Sequence, residues 1–210
     1  MKYRWLSILT WLKSYGLSAL TLLRLHHPDV IGATHHHPPT NSAYEWLEHE
    51  DGVTRSERAS RAEWLITNYP PATGFLIPGG WVSKQLLEEV KYCFIYGQYV
   101  AVAVLGVAFL ERIFAANFYA AGRNDLERAG GFDLLKEALH WDWLTKEEYH
   151  QFDQMRRLRN PLAHFRRPLA KHTLEARAVE ENEHPIIILE GDAKNILEGV
   201  LTVLKKQAIF

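Results

Sequence analysis

The chain has 210 residues, 47% of them hydrophobic and 12% aromatic, which is enough apolar surface to bury one substantial core with an appendage. Its formal net charge of -1 hides any attraction for an anion, which must therefore come from a local cluster. The single cysteine, Cys93, excludes an intramolecular disulfide and a multi-cysteine zinc site and fits a reducing, cytoplasmic setting, where it is expected as a core thiol.

Residues 1 to 25 carry leucines and tryptophans at mixed helical spacing. Lys13 interrupts the apolar start and no small-residue cleavage site follows, so no secretory signal is expected. His26, His27 and Pro28, then His35 to Pro39, break the pattern into a loop. The three adjacent histidines lack a carboxylate or thiol at ligand-like spacing, so no metal site is expected there. From Tyr44 to Asn68 charged residues surround Trp46, Leu47, Trp64 and Leu65, which predicts two solvent-facing helices broken near Asp51 and Gly52. Prolines and glycines between 69 and 80 mark a boundary, dividing the chain into a helical and loop extension, 1–80, and a helical bundle, 81–210.

Ser83 is expected to cap a long helix of about 35 residues with Leu86, Val90, Ala101, Val104, Ala108, Ala115 and Phe118 on one stripe. Glu111 falls near that inward stripe and needs a partner, because an isolated buried charge is costly. The apolar run from Tyr92 to Leu110 reaches the lower limit for a membrane span. Its Ala, Gly and Tyr content favours a helix buried in a bundle, without stable membrane association. Gly130 and Gly131 lead into a short helix, 132–140, and Thr145 with Glu148 forms a capping box that opens the next. Trp141 and Trp143, at the junction, read as packing residues ahead of base-stacking ones.

That helix carries Tyr149, Phe152 and Met155 inward and then enters a basic stretch. Residues 156 to 171 hold Arg156, Arg157, Arg159, Arg166, Arg167 and Lys171 and no acidic residue. Arg159 stands seven positions after Phe152, about 20° off two full turns, so it points along the buried face. Pro161 is expected to end the helix at Asn160, with Asn160 capping a new turn in which His164 meets free amides. Across such a corner Arg159 and His164 would converge. Beyond Lys171 an acidic link is expected, then an extended segment at 184–190, and finally a helix capped by Asp192. The whole reads as all-α, with that one short extended segment.

An apolar helix with Glu111, a short amphipathic helix and a capped helix running into Arg159-Asn160-Pro161-Leu162-Ala163-His164 resemble the HEPN family (higher eukaryotes and prokaryotes nucleotide-binding domains) over roughly residues 83 to 206. The hallmark of that family is an Arg, usually followed by a polar residue, with a His after four to six intervening residues. The resemblance implies an antiparallel helical bundle that forms a homodimer, with Arg159, Asn160 and His164 lining a shared groove and Glu111 in support. It also implies a ribonuclease, many relatives of which act in toxin–antitoxin or defence systems beside an antitoxin or regulatory protein.

The residues themselves suit such chemistry without a cofactor. RNA carries its own nucleophile, the 2'-hydroxyl, so a protein supplies proton transfer and cationic support at phosphorus. His164 would move the proton, Arg159 hold phosphoryl oxygens, Asn160 fix the turn or bond a phosphate, and Glu111 orient Arg159 or His164. Arg156, Arg157, Arg166, Arg167 and Lys171 would bind the RNA backbone. The competing expectation is a non-catalytic module that binds a nucleotide, RNA or protein, in which Glu111 and Arg159 form a buried ion pair.

Overall fold

The computed structural model describes residues 42–167 and 169–209, so the expectations for residues 1–41, including the His35–His37 run, lie outside the described residues. Seven α-helices account for most of them: α1 (Ala43–Asn68), α2 (Gly80–Ile95), α3 (Tyr99–Ala120), α4 (Gly131–His140), α5 (Lys146–Ala163), α6 (Leu174–Glu180) and α7 (Pro185–Lys206). Two short strands, β1 (Gly74–Phe75) and β2 (Ala208–Ile209), pair antiparallel. The protein is an all-α bundle, as the sequence predicts.

The bundle is built around α3, which packs against α2, α4, α5 and α7. Its buried side chains include Val102, Val107, Phe109, Leu110, Ile113, Phe114 and Phe118. Burying each such large side chain contributes roughly 1.5–3 kcal/mol, so this helix alone supplies much of the apolar driving force. Among the described residues, α3 is the one helix long and apolar enough to span a bilayer. Half of the qualifying stretch is buried inside the protein.

The expected 35-residue helix is in fact two. Gly97 takes a left-handed backbone (φ 72°), open to glycine with little strain, and Gln98 N–H turns back to the Cys93 carbonyl at 2.8 Å. The chain therefore doubles back: Arg112, near the far end of α3, donates to the Gly79 carbonyl at the start of α2. Nor is Ser83 a cap, because α2 begins at Gly80 and the Ser83 side chain is buried within it. Cys93 packs, partly buried, at the edge of the core, and burial followed by the charge of Glu89 pushes its thiol pKa up.

The expected break at Asp51 and Gly52 is also absent. Helix α1 runs through, its solvent side bridged by Asp51, which accepts from Arg55 at 2.8 Å and from Arg58. An exposed glycine lowers helix propensity without terminating a helix whose side chains tie across it. Leu65 and Trp64 attach α1 to α2, Trp64 lying 5.1 Å from Phe94. Arg61 completes the joint, donating to the Ile95 carbonyl at 2.9 Å and the Tyr99 hydroxyl at 3.2 Å.

In the second half, the Thr145–Glu148 capping box opens α5 as expected, with bonds of 3.2 and 2.9 Å. Trp141 and Trp143 close on Phe118, at 5.7 and 4.4 Å between ring centroids, and act as packing residues. The extended segment expected at 184–190 is instead the first turn of α7. His184 caps it through Nδ1, accepting from Ile186 N–H at 3.3 Å, and Pro185 fits the first helical position. The β-branched run favoured a strand locally, but Ile188 and Leu189 bury better on a helix that continues to Lys206.

Helix α7 lies close to both α3 and α5. A Cβ on Gly106 of α3 would meet Ile196 at 2.6 Å, and one on Gly199 of α7 would meet Met155 Sδ at 2.8 Å and Phe152 at 3.1 Å. The acidic link after Lys171 is ordered into α6, whose Arg177 grips Asp192 with two bonds, 2.5 and 2.9 Å. Asp192 is therefore a buried mid-helix anchor and not a cap. Asp192→Ala should lower stability by about 2–4 kcal/mol in urea unfolding by leaving Arg177 unpaired, and an Arg177→Met/Asp192→Leu pair should recover most of that loss.

A candidate Arg and His site at the end of α5

Helix α5 carries the sequence motif toward one end of the bundle. Its inward stripe of Phe152 and Met155 continues to Arg159, as the spacing predicts. The Arg159 side chain is 17% exposed and donates through Nη2 to Glu111 Oε1 at 2.7 Å, while Glu111 itself is 31% exposed. This joins α5 to the only acidic residue of α3. The Nε of Arg159 is buried without a partner among the described residues.

Pro161 does not end the helix. It lies inside α5, which continues to Ala163, and the His164 amide closes the last turn on the Asn160 carbonyl at 2.9 Å. So near a helix end the ring removes one intrahelical bond and leaves little helix to disrupt. Leu162 packs against the core and holds the final turn in place. Asn160 is accordingly a helical residue, half-buried, and caps no new helix.

The consequence for geometry is direct. Helix α5 runs through Pro161 to Ala163 with His164 as its extended C-cap (φ -132°, ψ 133°), so the corner expected at Asn160 to bring Arg159 and His164 together is missing. His164 stands at the carboxyl end of α5, the end of the helix dipole that attracts cations, and not at an amino end that would hold an anion. Its imidazole is exposed and bonds no other described residue. One chain thus presents a held guanidinium and an exposed imidazole near one helix end.

The five basic residues expected to bind RNA divide into two groups. Arg156 donates to Asp153 Oδ1 through Nε and Nη2, at 3.0 and 2.6 Å, and lies 5.5 Å over the Phe132 ring. Arg157 bonds Oδ2 of the same carboxylate at 2.7 Å. Asp153, only 7% exposed, thus neutralises part of the basic stretch, and Arg156 faces the protein and not solvent. The side chains of Arg166, Arg167 and Lys171 are exposed and make no hydrogen bond or ion pair with another described residue. These three form the available cationic strip.

Two features went unread in the sequence. Phe165, directly after His164, is 89% exposed. An aromatic residue set between a histidine and two arginines was the signal for it. The other is an open groove of about 490 Å³ between α5 and α6, lined by His150, Gln154, Arg157, His172 and Glu181. It exists because the supposed acidic link folds as α6, which spacing alone did not show. Among the described residues no three His, Cys, Asp or Glu side chains are grouped to hold a metal ion.

No protein-family model matches the chain, and neither does a curated protein or a solved structure.

Burial by itself would raise the Asp153 carboxyl, but the hydrogen bonds and charges of Arg156 and then Arg157 outweigh it and hold its pKa below the ordinary 3.8. A depressed carboxylate stabilises the fold above its unfolded value and loses that contribution as pH falls through the folded one. Asp153→Asn is therefore expected to reduce stability by about 1–2 kcal/mol at neutral pH. Chemical unfolding at stepped pH should show the gap between variant and parent closing below 3.8.

Proposed function

We propose that this protein is a HEPN-like, metal-independent endoribonuclease acting as a homodimer in the cytoplasm, in a toxin–antitoxin or defence setting where a regulatory protein restrains it. The observation that carries the reading is the end of α5. An exposed His164 is followed along the chain by the exposed cations Arg166, Arg167 and Lys171, while Arg159 of the same helix is held by Glu111. An exposed imidazole followed by uncompensated positive charge suits proton transfer next to a phosphodiester.

In this reading the RNA 2'-hydroxyl gives its proton to an imidazole and attacks phosphorus. The O2'–P bond forms as the P–O5' bond breaks, and a second imidazole protonates the leaving 5' oxygen. The products are a 2',3'-cyclic phosphate and a 5'-hydroxyl. Arg159 neutralises charge that develops on the phosphoryl oxygens. A single chain offers one motif histidine, and proton transfer at both the attacking and the leaving oxygen calls for two. A twofold pair with two α5 ends facing one groove supplies both histidines and sets the arginine of one subunit beside the imidazole of the other. Phe165 is suited to stack on a base beside the cleaved bond.

A second reading, a non-catalytic module that binds RNA, nucleotide or protein, draws on a specific observation. The Glu111–Arg159 pair already gives the guanidinium its counter-charge, and the helix that runs through Pro161 lacks the corner expected to turn His164 toward it. The two readings part in one experiment, incubation of the purified protein with RNA in the presence of a chelator. The nuclease gives cyclic-phosphate ends, and His164→Ala lowers the rate by about 10²–10⁴-fold with RNA affinity retained. Intact RNA with undiminished binding selects the module.

Replacing Arg166, Arg167 and Lys171 together by Ala is expected to weaken RNA binding and to flatten the log–log salt slope by about two, at roughly 0.7 for each single-strand phosphate contact. Affinity titrations between low and moderate salt measure it. An unchanged slope removes the cationic strip from the interface.

A further inference from the structure

Gly130 and Gly131 stand side by side at the start of α4, and the space around them differs sharply. Neither has a positive φ, so the backbone requires glycine at neither position. A Cβ on Gly130 would find only Asp133 Oδ2, at 4.0 Å. On Gly131 it would run into the Glu111 carboxylate, meeting Cδ at 3.0 Å and Cγ at 3.1 Å, with Oε1 nearer still. That Oε1 is the atom that accepts from Arg159 Nη2 at 2.7 Å.

We propose that Gly131 is a positioning residue for the site: by carrying no side chain it admits the Glu111 carboxylate between α4 and α5, and so fixes where the Arg159 guanidinium is presented to a phosphate. The inference rests on the ribonuclease reading. A methyl group at 131 meets the far end of a flexible side chain, so the fold has an easy escape: Glu111 swings away. What it then loses is its hold on Arg159. Residues on three helices, Gly131 of α4, Glu111 of α3 and Arg159 of α5, thus act in series, with only the last touching RNA.

The released arginine is no longer neutralised, so binding and catalysis should separate. Gly131→Ala is expected to lower kcat for RNA cleavage about tenfold or more, the worth of one charge-assisted hydrogen bond, without raising KM. Gly130→Ala should match the parent in both constants. In a Glu111→Ala background, where nothing remains to displace, adding Gly131→Ala should change kcat less than about twofold.

The same variants in urea unfolding form a second cycle that needs no activity. Gly131→Ala should destabilise the parent and not the Glu111→Ala or Arg159→Ala protein. Full kcat in Gly131→Ala, equal harm from Gly130→Ala, or an undiminished effect in the Glu111→Ala background overturns the proposal. A parent protein that cleaves no RNA ends the ribonuclease reading by itself, and the unfolding cycle then upholds or overturns the linkage alone.

Discussion

A carboxylate on the most apolar helix of the bundle must find a positive charge, and the contact between Glu111 and Arg159 meets that requirement. Helix α3 contributes apolar side chains to nearly every helix packed on it, and Glu111 is its one acidic residue. The contact therefore does two things at once. It lets α3 approach α5 without an orphaned charge, and it fixes the guanidinium of the motif at the edge of the core. Pairs of this kind gain less from attraction than they would lose if one partner were removed, because the survivor stays partly buried and uncompensated. Stability and site geometry are thus tied to the same two atoms.

The same logic recurs in the way the protein handles its other charges. Asp153 takes both Arg156 and Arg157, and Asp192 takes Arg177, so each buried carboxylate is matched by a guanidinium able to offer more than one N–H group. This sorting turns a basic stretch of sequence into a smaller basic surface. Six cations lie between 156 and 171, but Arg156, Arg157 and Arg159 bond carboxylates, and the strip left over is Arg166, Arg167 and Lys171. Counting charges along a chain overstates the field that a ligand meets, because a carboxylate from a distant helix can cancel part of it.

What could be read in advance was whatever depends on neighbours a few residues away. The capping box at Thr145 and Glu148, the inward heading of Arg159 and the need of Glu111 for a partner all follow from helical spacing. The errors arose where tertiary packing overruled a local signal. Pro161 is tolerated because Leu162 is anchored in the core, and Gly52 because Asp51 reaches two arginines across it. The run from Ile186 to Leu189 becomes helical because the helix that follows needs a start. Gly97 works the other way: its left-handed backbone splits an apolar pattern that runs on across it. For the site, the residue types were legible but their convergence was not, because that hinged on whether one proline breaks one helix.

The short pairing of Gly74 and Phe75 with Ala208 and Ile209 joins the connection between α1 and α2 to the end of α7, and Leu76 N–H adds a bond to the Gln207 carbonyl at 2.9 Å. Each of these backbone groups is satisfied by a partner more than 130 residues away in sequence. When the last turn of α7 frays, the stretch before α2 loses its hydrogen bonds in the same event. The amides on both sides should then exchange with solvent together as one small cooperative unit, opening more readily than the buried helices beneath.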